Sequence, residues 1–84
     1  MACNSLMAIR IEDRDRAALK VQEVLTRHGC NISMRLGLHD SDEGVCGPSG
    51  TLILQLCCTA EEGKKVEADL VKIEGVKAQF IDLK

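Results

Sequence analysis

With 84 residues, a 45% apolar fraction and interspersed acids and bases summing to a net charge of −2, the chain reads as a single domain over residues 1–84 with an aliphatic core, Phe80 being its one aromatic residue. A domain this small buries only about 60% of the surface its unfolded chain exposes, so oligomerisation is the expected remedy where disulfides and metals are absent. No Lys/Arg cluster marks a nucleic-acid face, no apolar run approaches the ~20 residues that span a bilayer, and the polar start MACNSLMAIRIEDRD does not read as a secretory leader; the expectation is a soluble cytoplasmic protein that by itself binds neither nucleic acid nor membrane.

In chain order, residues 5–11 (SLMAIRI) alternate and place Met7, Ile9 and Ile11 on one face of a first strand. Asp13 or Asp15 then caps a helix over 14–28, in which Ala17, Val21, Val24, Leu25 and His28 recur at helical spacing. Gly29 supplies a left-handed stop, and Arg27 and His28 suit the negative end of the helix dipole. Residues 31–38 alternate strictly, with Ile32, Met34, Leu36 and Leu38 inward and Ser33, Arg35 and Gly37 outward. The run HDSDEGVCGPSG, residues 39–50, breaks that pattern with Gly44, Gly47, Pro48 and Gly50 and reads as a loop. Residues 51–58 are apolar on both faces except for Gln55, which suits a central strand. Thr59 and Glu62 have capping-box spacing at the head of a helix over 60–74, with Val66, Leu70 and Ile73 in its stripe and Gly75 at its end. The last strand, 76–82, sets Val76, Ala78 and Phe80 on one face.

Strand, helix, strand, strand, helix, strand describes two crossovers sharing a middle hairpin. The fold class that follows is α+β: a ferredoxin-like βαββαβ sandwich, a four-stranded antiparallel sheet with both helices on one face. The outer face would show Ala8, Arg10, Ser33, Arg35, Gly37, Ile53, Gln55, Cys57, Lys77, Gln79 and Ile81, neither cleanly polar nor cleanly apolar. With so small a core, a homo-oligomer is expected, most simply a dimer, in contact through this face or through an edge strand.

Five cysteines, an odd count without CxxC spacing, read as free thiols, with Cys57 and Cys58 pointing to opposite faces and Cys46 as the exposed one. His39, Asp40, Asp42, Glu43 and Cys46 are all metal-binding residue types, and His39 with Cys46 is the candidate pair for a metal or redox site. That spacing matches no standard metal signature, and a solvated loop of turn residues is the plainer reading. Two histidines, no GxSxG and no glycine-rich phosphate loop leave no candidate catalytic set, so neither enzymatic activity nor a cofactor is expected.

Asp13 and Arg14 before the first helix, then Gly29, Asn31 and Ile32 at the start of the second strand, resemble the corresponding segments of ACT regulatory domains. Three further segments, Ile11-Glu12-Asp13-Arg14, Arg35-Leu36-Gly37 and Ile73-Glu74-Gly75-Val76, are similar in kind and order to those of short stand-alone ACT-like proteins described as regulators of the iron-only hydrogenase system. The resemblance implies a non-enzymatic regulatory, ligand-sensing module acting through an oligomer interface, a partner protein or a small-molecule effector. In that picture the first-helix turn (Asp13, Arg14 and Asp15) and the loop from His39 to Gly50 form the ligand-sensing rim, with Arg35 on the outer face of the second strand as an anion or interface contact. One departure bears on the ligand: Asp15-Arg16 stand where ACT domains carry Pro-Gly, and Asp15 puts a negative side chain where helix amides would meet a carboxylate. The alternative is a transition-metal or redox sensor using His39 and Cys46.

Overall fold

The structure, a computed structural model, describes residues 4–42 and 45–83, and the side chains of these except for residues 38–42 and 45–48. Strand β1 (Ser5–Ile11) leads into helix α1 (Arg14–Arg27), strands β2 (Ile32–Asp42) and β3 (Val45–Leu56) form a hairpin, and helix α2 (Ala60–Val71) returns to strand β4 (Val76–Asp82). The sheet order is β2-β3-β1-β4 and every pairing is antiparallel, the ferredoxin-like arrangement expected from the element order. Among the described residues, no helix is long and apolar enough to cross a membrane.

Each helix begins where local chemistry supplies a cap. The Asp13 carboxylate accepts from Asp15 N at 3.1 Å, so Asp13 rather than Asp15 opens α1. The Thr59 hydroxyl accepts from Glu62 N at 3.2 Å at the head of α2. Alternation along β1 and β3 sends Met7, Ile9, Leu54 and Leu56 into full burial beneath Val21 of α1 and Val66 and Leu70 of α2, each such side chain contributing roughly 1.5–3 kcal/mol.

Five expectations from the sequence need correction. First, Met34 and Leu36 are exposed, not core. Ile32 pairs with Leu56 but Met34 pairs with Gln55, so Ser33 is an extra residue, its hydroxyl donating to Gln55 O at 3.2 Å. One extra residue exchanges the faces of everything that follows. Met34 and Leu36 therefore join the outer face, while Arg35 and Gly37, opposite Leu54 and Leu52, turn to the helix side.

Second, the run 39–50 is largely strand: β2 continues to Asp42 and β3 starts at Val45, with Ser41 opposite Cys46 and Asp42 opposite Val45. A backbone ladder does not depend on side-chain hydrophobicity, and beyond Gly50, the partner of Ile11, β3 has only β2 beside it, a setting that tolerates Pro48. Third, Gly29 does not adopt a left-handed conformation; among the described glycines only Gly75 does, with φ 79°. Helix α1 instead ends on His28 (φ −103°, ψ 18°) and passes into a 3-10 turn, Gly29–Asn31. Fourth, α2 stops at Val71, and bonds from Ile73 N to Leu70 O and Val76 N to Ile73 O carry the chain through a tight turn at Gly75. Fifth, Cys57 is disulfide-bonded, so the reading of free thiols throughout fails there, while Cys30 and Cys58 are free.

Candidate functional site

An open cleft of about 510 Å³ lies between the N-terminal half of α1 and the strands β2 and β3. Its polar rim is Arg14, Asp15 and Gln22 from α1 and Arg35 from β2; its floor is Ile11, Ala18, Val21 and Leu52, and Thr51 of β3 borders it with its hydroxyl turned to the other face of the sheet, where it accepts from Arg10 Nη1 at 3.1 Å. The local structure explains why these meet. Strand β1 ends at Ile11 and Asp13 caps α1 two residues later, so Arg14 and Asp15 form the first turn, and Nε of Arg14 is buried against the cleft. The Ser33 bulge then rotates Arg35 under α1, where its Nη1 donates to Gln22 Oε1 at 2.9 Å. Gly37 keeps the floor low: a Cβ there would stand 3.1 Å from Leu52 Cδ2.

Of the residues singled out from sequence, Arg14, Asp15 and Arg35 thus share one cleft. Asp13 does not line it. With its carboxylate on the helix cap, it borders a smaller groove with Glu12, Arg16, Lys20, Ile73, Glu74 and Gly75 on the other side of the same helix terminus. That terminus is tied down by Glu12 N, which donates to Gly75 O at 2.9 Å. Gln22 and Thr51 were not anticipated. Gln22 is one turn beyond Ala18 on α1 and could have been placed on the cleft side by helical spacing alone, but its partner Arg35 could not, because the bulge is invisible in the alternation.

Two guanidinium groups, a carboxylate and an amide over an aliphatic floor suit the holding of a small polar molecule by charge-assisted hydrogen bonds. The other titratable cluster is at the far ends of the helices. His28 Nε2 lies 2.9 Å from Asp69 Oδ2, with Arg27 Nη1 at 3.7 Å and Lys72 Nζ at 3.8 Å from the same carboxylate. The His28 hydrogen bond first, then the charges of His28, Lys72 and Arg27, hold the Asp69 carboxyl below its ordinary range against the opposing effect of desolvation. This network joins α1 to α2. The side chains of His39 and Cys46 lie outside the described residues; their backbones face Gly50 and Ser41 across the hairpin. Among the described residues no group of three or more His, Cys, Asp or Glu could hold a metal ion.

No protein-family model and no curated protein matches this sequence. Solved structures do. The ACT domain of prephenate dehydrogenase from Bacillus anthracis superposes with a TM-score of 0.58 at 20% identity, over 88% of this chain and 99% of that one. The fold is ACT-like. An uncharacterized protein from Thermotoga maritima shares this ACT-like arrangement more fully, with a TM-score of 0.82 and 25% identity over 95% of each chain.

Proposed function

We propose that this ACT-like chain is a non-enzymatic regulatory module that takes a small polar effector in the cleft beside α1 and relays its occupancy to a subunit or partner contact. One observation carries the reading. The three segments that resemble regulators of the iron-only hydrogenase system, far apart in sequence, gather around the N-terminus of α1. Ile11, Arg14, Arg35 and Gly37 line the cleft, while Glu12, Asp13, Ile73, Glu74 and Gly75 line the adjoining groove. Residues needed only for folding would be spread through the core; these instead border two concave surfaces on either side of one helix terminus. The finer reading, regulation of a hydrogenase-type system, rests on that resemblance alone.

The test is a backbone-amide NMR titration of the reduced protein with small organic acids, inorganic phosphate and nucleotides. The expected result is saturable shifts at Arg14, Asp15, Gln22, Arg35 and Gly37 that vanish in Arg35→Ala. Shifts elsewhere, or none at millimolar additions, would sink the cleft as the sensing site. Nickel, zinc and ferrous iron added to the same sample address the alternative of a metal sensor on the hairpin, for which the shifts would centre on His39 and Cys46. Loss of the gene from its native host is expected to alter hydrogenase levels; unchanged levels would remove the hydrogenase assignment and leave the effector module.

A further inference from the structure

We infer that Cys57 and Cys3 form a reversible disulfide, a redox clasp between the start of β1 and the end of β3. Cys57 is disulfide-bonded, while Cys30 and Cys58 are free thiols. With five cysteines in the chain, its partner is Cys3 or Cys46. The β3 ladder decides between them. Cys46 pairs with Ser41 at the far end of the hairpin, roughly 35 Å along the strand from Cys57. A disulfide requires Cα atoms within about 7 Å of one another. Cys3 lies outside the described residues, but the backbone beside it is fixed at the level of Cys57. Ser5 stands opposite Leu56, and Asn4 O accepts from Leu83 N at 2.8 Å.

The surroundings of Cys57 suit a bond that opens and closes. Its neighbour Leu56 is fully buried on the helix side, so Cys57 turns to the other face of the sheet, where it is half-buried. The fold does not depend on the sulfur. Cys57 N donates to Asn31 O at 2.8 Å, and β1 is paired along its whole length with both β3 and β4. Reduction therefore leaves the sheet in place and removes only the tie; accessible disulfides of this kind are the labile ones. Cys58, one residue on, does not compete. It is buried, and burial followed by the negative charge of Glu62 pushes its thiol up, which keeps it protonated and a poor nucleophile.

Glutathione supplies a balanced exchange. One cysteine thiolate attacks oxidised glutathione and expels a glutathione thiolate. The second cysteine thiolate then attacks the protein sulfur of the mixed disulfide, forming the Sγ–Sγ bond and expelling the other glutathione. Two electrons and two protons pass from the cysteines to two glutathione thiols, and reduced glutathione runs the same steps backwards. The closed bond spans about fifty residues, so it restricts the unfolded chain and stabilises the oxidised form. The clasp lies at the opposite end of β1 and β3 from the cleft, which takes Ile11, Gly50 and Leu52 from these strands, and it stands apart from whatever occupies that site.

The test equilibrates the full chain across ratios of reduced to oxidised glutathione, blocks free thiols with N-ethylmaleimide and maps tryptic peptides by mass spectrometry. Residues 1–10, which hold Cys3, should be joined to residues 36–64, which hold Cys57, at the oxidising end and separate at the reducing end. Cys46→Ser and, separately, Cys58→Ala should keep the join, which leaves Cys57 as its holder, and Cys3→Ser should abolish it. The oxidised chain should melt roughly 10–20 °C above the reduced one, a difference that Cys3→Ser removes. No join at any ratio, a join lost in Cys46→Ser or Cys58→Ala, or one mapped to Cys30 in residues 28–35 would overturn the pairing. A join that glutathione opens at no ratio while the chain is folded would overturn the clasp as a reversible device and leave a structural staple.

Discussion

Replacing Gly63 by alanine puts two effects of opposite sign in competition. Gly63 is buried in α2 against the ring of Phe80 on β4. A Cβ there would overlap Cε1 of the ring and stand 2.7 Å from Cδ1 and Cζ. Non-bonded carbons rest at about 3.5–4.0 Å, so the ring must withdraw by about 1 Å or more. It is poorly placed to do so: the Phe80 backbone N–H donates to Glu67 Oε2 at 2.7 Å, and its neighbour across the strands is the fully buried Met7. Alanine in place of a helical glycine contributes about 1 kcal/mol of propensity, while overpacking costs about 1–3 kcal/mol, and a displaced ring re-exposes apolar surface. The expected net is a loss of about 1–2 kcal/mol and a drop in Tm of roughly 5–15 °C for a domain of this size. Urea titration followed by far-UV circular dichroism, with a thermal melt alongside, measures both. Phe80→Leu in the Gly63→Ala background should recover part of the loss, a coupling between touching residues that a double-mutant cycle isolates. If Gly63→Ala were instead stabilising by its propensity, the ring would not be held where it is described, and the reasoning would fail.

Two further outcomes follow from the titratable groups. Because the Asp69 carboxyl is held below its ordinary value of 3.8 when folded, its contribution is present above that value and is lost as pH falls through the lowered one. Asp69→Asn should therefore cost about 0.5–1 kcal/mol at pH 6, discounted for its partial exposure, with the gap to wild type closing as pH drops below 3.8; a gap that stayed constant into acid would rule out the charge as its source. Burial, and then the negative charge of Glu62, push the Cys58 thiol up, whereas Cys30 is exposed. Iodoacetamide followed by mass spectrometry should label Cys30 well before Cys58 in the native protein and both alike in urea; equal native rates would contradict the burial.

What could be seen in the sequence was what depends on near neighbours. Helical spacing, the Thr59 cap and the alternation of β1 are each written within a few residues, and each stands in the structure as expected. The features that were missed depend on pairing. Residues 31–38 alternate as regularly as any strand, yet one unpaired Ser33 decides that Met34 and Leu36 face outward and that Arg35 reaches α1. Pairing register is a property of two strands and cannot be read from one. The same holds for the hairpin, whose polar, glycine-rich residues look like slack but are held by a ladder between Asp42 and Val45. The candidate cleft was therefore half legible: its α1 rim lies next to the cap, whereas its β2 wall arrives through the bulge.

The position of β1 has a consequence for how the chain is made. Both of its neighbours come from the second half of the sequence: residues 50–56 of β3 on one side and 76–82 of β4 on the other, each paired along its whole length. Strand β1 thus leaves the ribosome ahead of both its partners, and its second edge stays open until residue 82 has emerged. Until then Met7 and Ile9, fully buried in the finished fold, have only part of their cover. A nascent chain stalled anywhere before β4 would present an apolar strand edge, which makes the seven residues of β4 the step that covers β1.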